Sequence, residues 1–125
     1  MLREDPDEWY AGLVAEVPEV DRRVLERPEV RAIAIETFQE AVRQGAVGWV
    51  DDVLRLERSW PFRLDEVLAE VSFHHGEEDT NAPPQRAEEL AERIPAGRLH
   101  MYPGEGHISI LDRPIKEIVE TLLFP

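Results

Sequence analysis

In the run Val71-Ser72-Phe73-His74-His75-Gly76-Glu77-Glu78-Asp79-Thr80-Asn81-Ala82-Pro83-Pro84, a short apolar segment stops at a glycine, crosses a polar turn and meets two prolines. Val71 and Phe73 alternate with more polar residues, which predicts a strand ending at Gly76. Pro83 and Pro84 pre-set the φ angles of a helix start, and Ala87, Leu90, Ala91 and Ile94 recur at i, i+3, i+4, i+7 before Pro95 and Gly97 end the pattern. Arg98-Leu99-His100-Met101-Tyr102 is then a second strand, broken by Pro103-Gly104-Glu105-Gly106, with His107 beyond the break. Strand, helix, strand is the parallel crossover unit of an α/β fold.

Such a unit brings its two outgoing loops to one edge. Its strands lie about 4.8 Å apart, or with one strand between them, and both loops leave at the carboxyl ends, where open α/β sheets place their ligands. Asp79 in the first loop can then accept a hydrogen bond from Nδ1 of His107 in the second. That bond selects the tautomer and leaves Nε2 free to take a proton from a nucleophile.

These residues resemble the C-terminal section of the α/β-hydrolase fold. Val71 to Asp79, with its Gly-Glu-Glu-Asp-Thr-Asn-Ala-Pro run, is similar to the family's penultimate strand and the turn carrying the acid of the catalytic triad. Gly104-Glu105-Gly106-His107 resembles the turn after the last strand, which carries the triad histidine, and Ile108 to Phe124 would be the closing helix. The resemblance runs from Leu64 onward, and acid precedes histidine as in the family. Glu70 stands where the family often has a proline. The family's nucleophile elbow, Gly-x-Ser-x-Gly, occurs nowhere: Ser59, Ser72 and Ser109 lack the flanking glycines, and there is no cysteine to substitute. The resemblance therefore implies the second part of an enzyme, incomplete without an upstream nucleophile, oxyanion loop and sheet.

The first half of the chain is helical by pattern. Asp5 or Asp7 can cap a helix through Trp9, Tyr10, Leu13 and Val14; Pro18 opens one through Val20, Val24 and Leu25; and Pro28 opens one with Val30, Ala34, Phe38, Ala41 and Val42 on a face, stopping near Gly45. A fourth, Val47 to Leu56, carries Trp49, Val50, Val53 and Leu54. Four amphipathic helices with no strand between them predict a helical layer with an acidic outer face. In the resembled family an insertion of this kind caps the active site, so residues 1–62 read as a cap-like segment and residues 63–125 as the core section. Trp60 to Leu64 would be the return from cap to core, and Asp65 to Ala69 the helix before the penultimate strand.

Composition narrows the partners. Twenty-seven acidic against 14 basic residues leave a formal charge of −13 over 125 residues, which offers no basic patch to nucleic acid or anionic membranes. The absence of cysteine removes disulfide frameworks and thiolate zinc sites. No apolar run approaches the roughly 20 residues of a membrane span, and the N-terminus does not read as a signal peptide, so a cytoplasmic location is expected.

Each candidate has a plainer reading. Asp79 could serve only as a turn former, with Glu78 the other carboxylate within reach, and His107 could cap the last helix. His74 and His75 beside Glu77 and Asp79 invite a metal site, but adjacent strand residues point to opposite faces and cannot easily share an ion. Trp49, Trp60 and Phe62 could line a cavity or fill a core; Asp51 and Asp52 read as solvated surface. The expected function is a serine-type hydrolase in which Asp79 and His107 are the triad acid and base, needing no cofactor or metal. It would act on a small-molecule or peptide substrate, with the nucleophile supplied by a missing N-terminal half. The alternative is a non-catalytic acidic interaction module. In either case, unpaired strand edges predict association with that half or with another copy.

Overall fold

The structure is a computed structural model that describes residues 5–112 and 114–123, the last three by backbone alone. Phe124, expected to close the last helix, and the N-terminal residues 1–4 lie outside the described residues. The fold is mixed α/β, with six α-helices and a two-stranded parallel sheet among the described residues. The chain divides into two compact units, Met1–Glu16 with Leu25–Pro61, and Val17–Val24 with Phe62–Pro125.

The first unit is helical: α1 (Pro6–Glu16), α3 (Pro28–Ala41) and α4 (Val47–Leu56). Asp5 starts α1 as a cap, its Oδ1 accepting from the N–H groups of Asp7 at 2.9 Å and Glu8 at 3.1 Å. Pro28 occupies the first turn of α3, where its missing N–H costs nothing. Trp9 of α1 stacks on Phe38 of α3 with ring centroids 3.7 Å apart. Tyr10 is buried beside them and donates its hydroxyl proton to the Leu25 carbonyl. Helix α4 buries none of its residues: Trp49, Val50, Val53 and Leu54 are 44–51 % exposed. Trp49 shares an apolar groove of about 420 Å³ with Trp9, Phe38, Ala41 and Val42. Asp51 and Asp52 are exposed, as solvated acids should be. Trp60 is also half exposed, so it does not fill a core.

The second unit holds the sheet. β1 (Val71–Gly76) pairs in parallel with β2 (Gly97–Tyr102), Val71 opposite Gly97 and His74 opposite His100. The strands are therefore side by side. They are joined by α5 (Pro84–Arg93), which packs on both and buries Ala87; Ile94, just past its end, is buried too. Val71, Phe73, Leu99 and Met101 share a face with Gly97, where an added Cβ would fall on the Ala91 carbonyl of α5. The opposite face carries Ser72, His74, Arg98, His100 and Tyr102. Most of α2 (Glu19–Leu25) belongs to this unit, as does α6 (Ile115–Leu123).

Of two helices implied by the resemblance, one is absent and the other is shorter. Residues 65–69 do not form a helix: only a 3₁₀ turn, Leu64–Glu66, is present, and Val67 is already extended at φ −75, ψ 108. A five-residue segment gains too few hydrogen bonds to offset nucleation, and Leu68, 88 % exposed, supplies no buried face in compensation. Arg63 instead pins the turn by gripping the Asp65 carboxylate with two nitrogens. The tail does not run as one helix from Ile108. Ser109–Leu111 is a 3₁₀ turn, and α6 starts only after Pro114, whose carbonyl accepts from Ile118 N–H at 3.0 Å. Proline cannot donate to the preceding turn and disfavours helical backbone before it, so the break falls there. Phe62 is half exposed and Val119 is 43 % exposed. No helix among the described residues is long and apolar enough to cross a membrane.

Candidate functional site

The two loops at the carboxyl ends of β1 and β2 are laced together by main chain before any side chain joins them. Glu77 N–H donates to the Tyr102 carbonyl at 3.2 Å and Glu78 N–H to the Glu105 carbonyl at 2.9 Å. That approach requires a glycine at the end of β1, because a Cβ on Gly76 would collide with the Glu105 carbonyl.

Asp79 is 6 % exposed, and all its hydrogen bonds are local or aimed at the second loop. Its Oδ1 accepts from Asn81 N–H at 2.9 Å and Ala82 N–H at 2.8 Å, an Asx-type turn that immobilises the carboxylate. Its Oδ2 lies 2.9 Å from His107 Nδ1. Burial opposes ionisation of this carboxyl, but the Ala82 N–H, His107 and the Asn81 N–H together outweigh it, and Asp79 titrates below its ordinary range. His107, by contrast, leaves its side chain 43 % exposed. Glu78, the other carboxylate weighed for this role, is exposed and contributes its main chain only.

The second ring nitrogen is not free. Asn81 Nδ2 lies 3.1 Å from His107 Nε2. With Nδ1 donating to Asp79 and Nε2 accepting from the Asn81 amide, one tautomer satisfies both contacts. The expectation of an open Nε2 is thus corrected by a neighbour from the acid's own turn. Asn81 is exposed, so a small side-chain rotation releases the nitrogen.

The adjacent histidines diverge as their strand positions require. His75 Nε2 donates to the Ala82 carbonyl at 2.8 Å and lies 3.4 Å from Asp79 Oδ2, so it braces the acid turn from behind. His74 is on the other face, stacked on His100 with centroids 4.6 Å apart and with Nδ1 2.9 Å from the Tyr102 hydroxyl. Burial, reinforced by His100, lowers the pKa of His74, with Glu117 opposing weakly; burial, then Glu117, raises that of Tyr102. Among the described residues, no cluster of three or more acids, histidines or cysteines is arranged to hold a metal ion.

One contributor escaped the sequence reading. Asp21 of α2 is fully buried, and its carboxylate accepts three main-chain N–H groups, from His107 at 2.9 Å, Ile108 at 3.0 Å and Ser109 at 2.8 Å. Its signal was present in the spacing: Val17, Val20, Asp21, Val24 and Leu25 form one i, i+3, i+4, i+7, i+8 stripe, in which an acid is out of place unless it has buried donors. Ser109 is 1 % exposed, and its Oγ accepts from Gly106 N–H at 2.8 Å, a bracing role within the histidine turn.

No protein-family model, curated protein or solved structure matches the chain.

Proposed function

We propose that the second unit is the acid–histidine part of a serine-type hydrolase of the α/β-hydrolase kind, whose nucleophile comes from a segment outside these 125 residues. The observation that supports this most is the Asp79 Oδ2 to His107 Nδ1 contact of 2.9 Å, at the carboxyl ends of two adjacent parallel strands. A buried carboxylate held by two N–H groups orients the imidazole, selects the Nδ1–H tautomer and stabilises the imidazolium that follows proton uptake. In the proposed reaction the Asn81 amide swings off Nε2 and a serine hydroxyl takes its place. Nε2 accepts the hydroxyl proton as oxygen attacks the acyl carbon, then returns a proton to the leaving group; water completes the second half by the same route. These steps use no cofactor. Esters, amides and related bonds are all within this chemistry.

The test is labelling by a serine-directed phosphonate. The 125-residue chain alone takes up no stoichiometric label. The protein as produced from its gene, with any upstream segment, labels at an upstream serine, and Asp79→Ala or His107→Ala slows that labelling at least about 10³-fold. Stoichiometric modification of Ser59, Ser72 or Ser109 refutes the proposal.

The second reading, a non-catalytic interaction module, draws on a different observation. Helix α4 exposes Trp49, Val50, Val53 and Leu54 together, the composition of a docking face. Failure of any segment to label, with loss of association on Val53→Asp, favours that reading instead.

A further inference from the structure

Two carboxylates hold His107 from different sides. Asp79 takes the ring, and Asp21 takes the main chain. The Asp21 contacts are not those of a surface acid: the residue is fully buried, Oδ2 accepts from His107 N–H, and Oδ1 is shared by Ile108 N–H and Ser109 N–H. Those three donors open the 3₁₀ turn Ser109–Leu111, where intrahelical partners are lacking. Space has been cleared for the carboxylate as well, since a Cβ on Gly106 would stand 2.5 Å from both Asp21 oxygens. Gly106 N–H in turn donates to Ser109 Oγ, so both ends of the Gly106 to Ser109 segment are tied.

We infer that Asp21 is a positioning residue for the hydrolase reaction proposed above: by anchoring the main chain of residues 107–109 it sets the origin of the His107 side chain, so that Nδ1 meets Asp79. A histidine on a turn that follows a glycine has several staggered rotamers open to it, and its contact with the 4 % exposed Asp79 side chain depends on where the main chain sets its Cβ. Asp21 touches neither ring nitrogen. It acts through the backbone, and the consequence is read at the ring. The inference rests on the hydrolase reading only for its catalytic meaning; the linkage from Asp21 to the His107 tautomer stands or falls separately.

The experiment uses the full 125-residue chain labelled with ¹⁵N and ¹³C. In the unsubstituted chain, through-hydrogen-bond couplings connect the amide nitrogens of His107, Ile108 and Ser109 to the Asp21 carboxylate carbon; their absence overturns the inference. In Asp21→Asn, imidazole ¹⁵N shifts report a fall of about three- to tenfold in the ratio of Nδ1–H to Nε2–H tautomer at His107, corresponding to one hydrogen bond's loss. The rings of His74 and His100, stacked together on the other face of the sheet, keep their shifts, which separates positioning from general destabilisation. A folded Asp21→Asn chain with an unchanged His107 ratio, or with the His74 and His100 rings altered along with it, overturns the inference. Should Asp21→Asn fail to fold, a backbone ester at residue 108 deletes one of the three donors while leaving every side chain; it shifts the ratio in the same direction, and no shift overturns the inference. If these results hold while no segment of the gene product takes up the phosphonate, Asp21 keeps its role and the hydrolase reading falls.

Discussion

At the scale of single residues, Asp79 governs how the site responds to acid. Its folded carboxyl titrates below the roughly 3.9 of an unfolded aspartate, so its contribution to stability is fully present above about pH 4. That contribution is lost as the pH falls through the lower, folded value. Asp79→Asn keeps the shape, removes the titration and leaves the Asn81 and Ala82 donors with a weaker acceptor. We expect a loss of about 1–3 kcal/mol at pH 7 and a flatter acid limb of stability in urea melts across pH 2–7. An Asp79→Asn chain that loses stability in acid as steeply as the unsubstituted one would show that the carboxylate is not held as described. That the loops carrying this residue and His107 share one edge was legible from turn chemistry and strand period, while the choice of Asp79 over Glu78 came from the family resemblance. The place of Asp21 on an apolar stripe was visible in the spacing, but its partners are main-chain N–H groups more than 80 positions away, which no local pattern names.

At the scale of elements, glycine substitutions separate close approach from mere flexibility. Gly76→Ala drives a Cβ into the Glu105 carbonyl, and main chain cannot yield as a side-chain tip can. A cost of about 1–3 kcal/mol follows, read as a lower urea midpoint for the sheet-bearing unit. Gly12, in the middle of α1, has nothing within 4 Å of its would-be Cβ. Gly12→Ala therefore raises helix stability by roughly 0.5–1 kcal/mol, detectable by ellipticity during the melt. Equal effects at the two positions would contradict the packing of β1 against the histidine loop. The helix and strand patterns of α1 to α5, β1 and β2 were readable because each has a strong period and identifiable ends. The helices expected at 65–69 and from 108 onward came from the family resemblance and not from a period of their own; length, Pro114 and tertiary acceptors for the N–H groups decided otherwise.

For the molecule as a whole, exposed apolar surface and unpaired strand edges set the behaviour. β1 and β2 are each other's only strand neighbours among the described residues, and a two-stranded sheet is marginal by itself in water. Six large apolar side chains of α4, from Val47 to Leu56, and Val119 of α6 are each more than two-fifths exposed. A formal charge of −13 opposes association at low salt, and screening weakens that opposition. Sedimentation should accordingly show a mass that rises with protein concentration in the micromolar range and rises further with added salt. A monomer with one sharp, cooperative melt across those conditions would mean that the present elements suffice for a closed core.

Local periodicity determined the order of elements, the parallel crossover from β1 to β2 and the opening of both outgoing loops at one edge, because each follows from spacing and turn residues along the chain; that β1 and β2 are direct neighbours came from the structure. Only the tertiary structure decided that Asn81 occupies Nε2, that 108–112 tightens into a 3₁₀ turn, and that Val17–Val24 joins the strand-bearing unit with Asp21 buried beneath the histidine. These depend on where distant main-chain donors find their acceptors. A buried carboxylate on an apolar stripe is tolerable only where the fold delivers three N–H groups to it, and that delivery exists nowhere in the one-dimensional pattern.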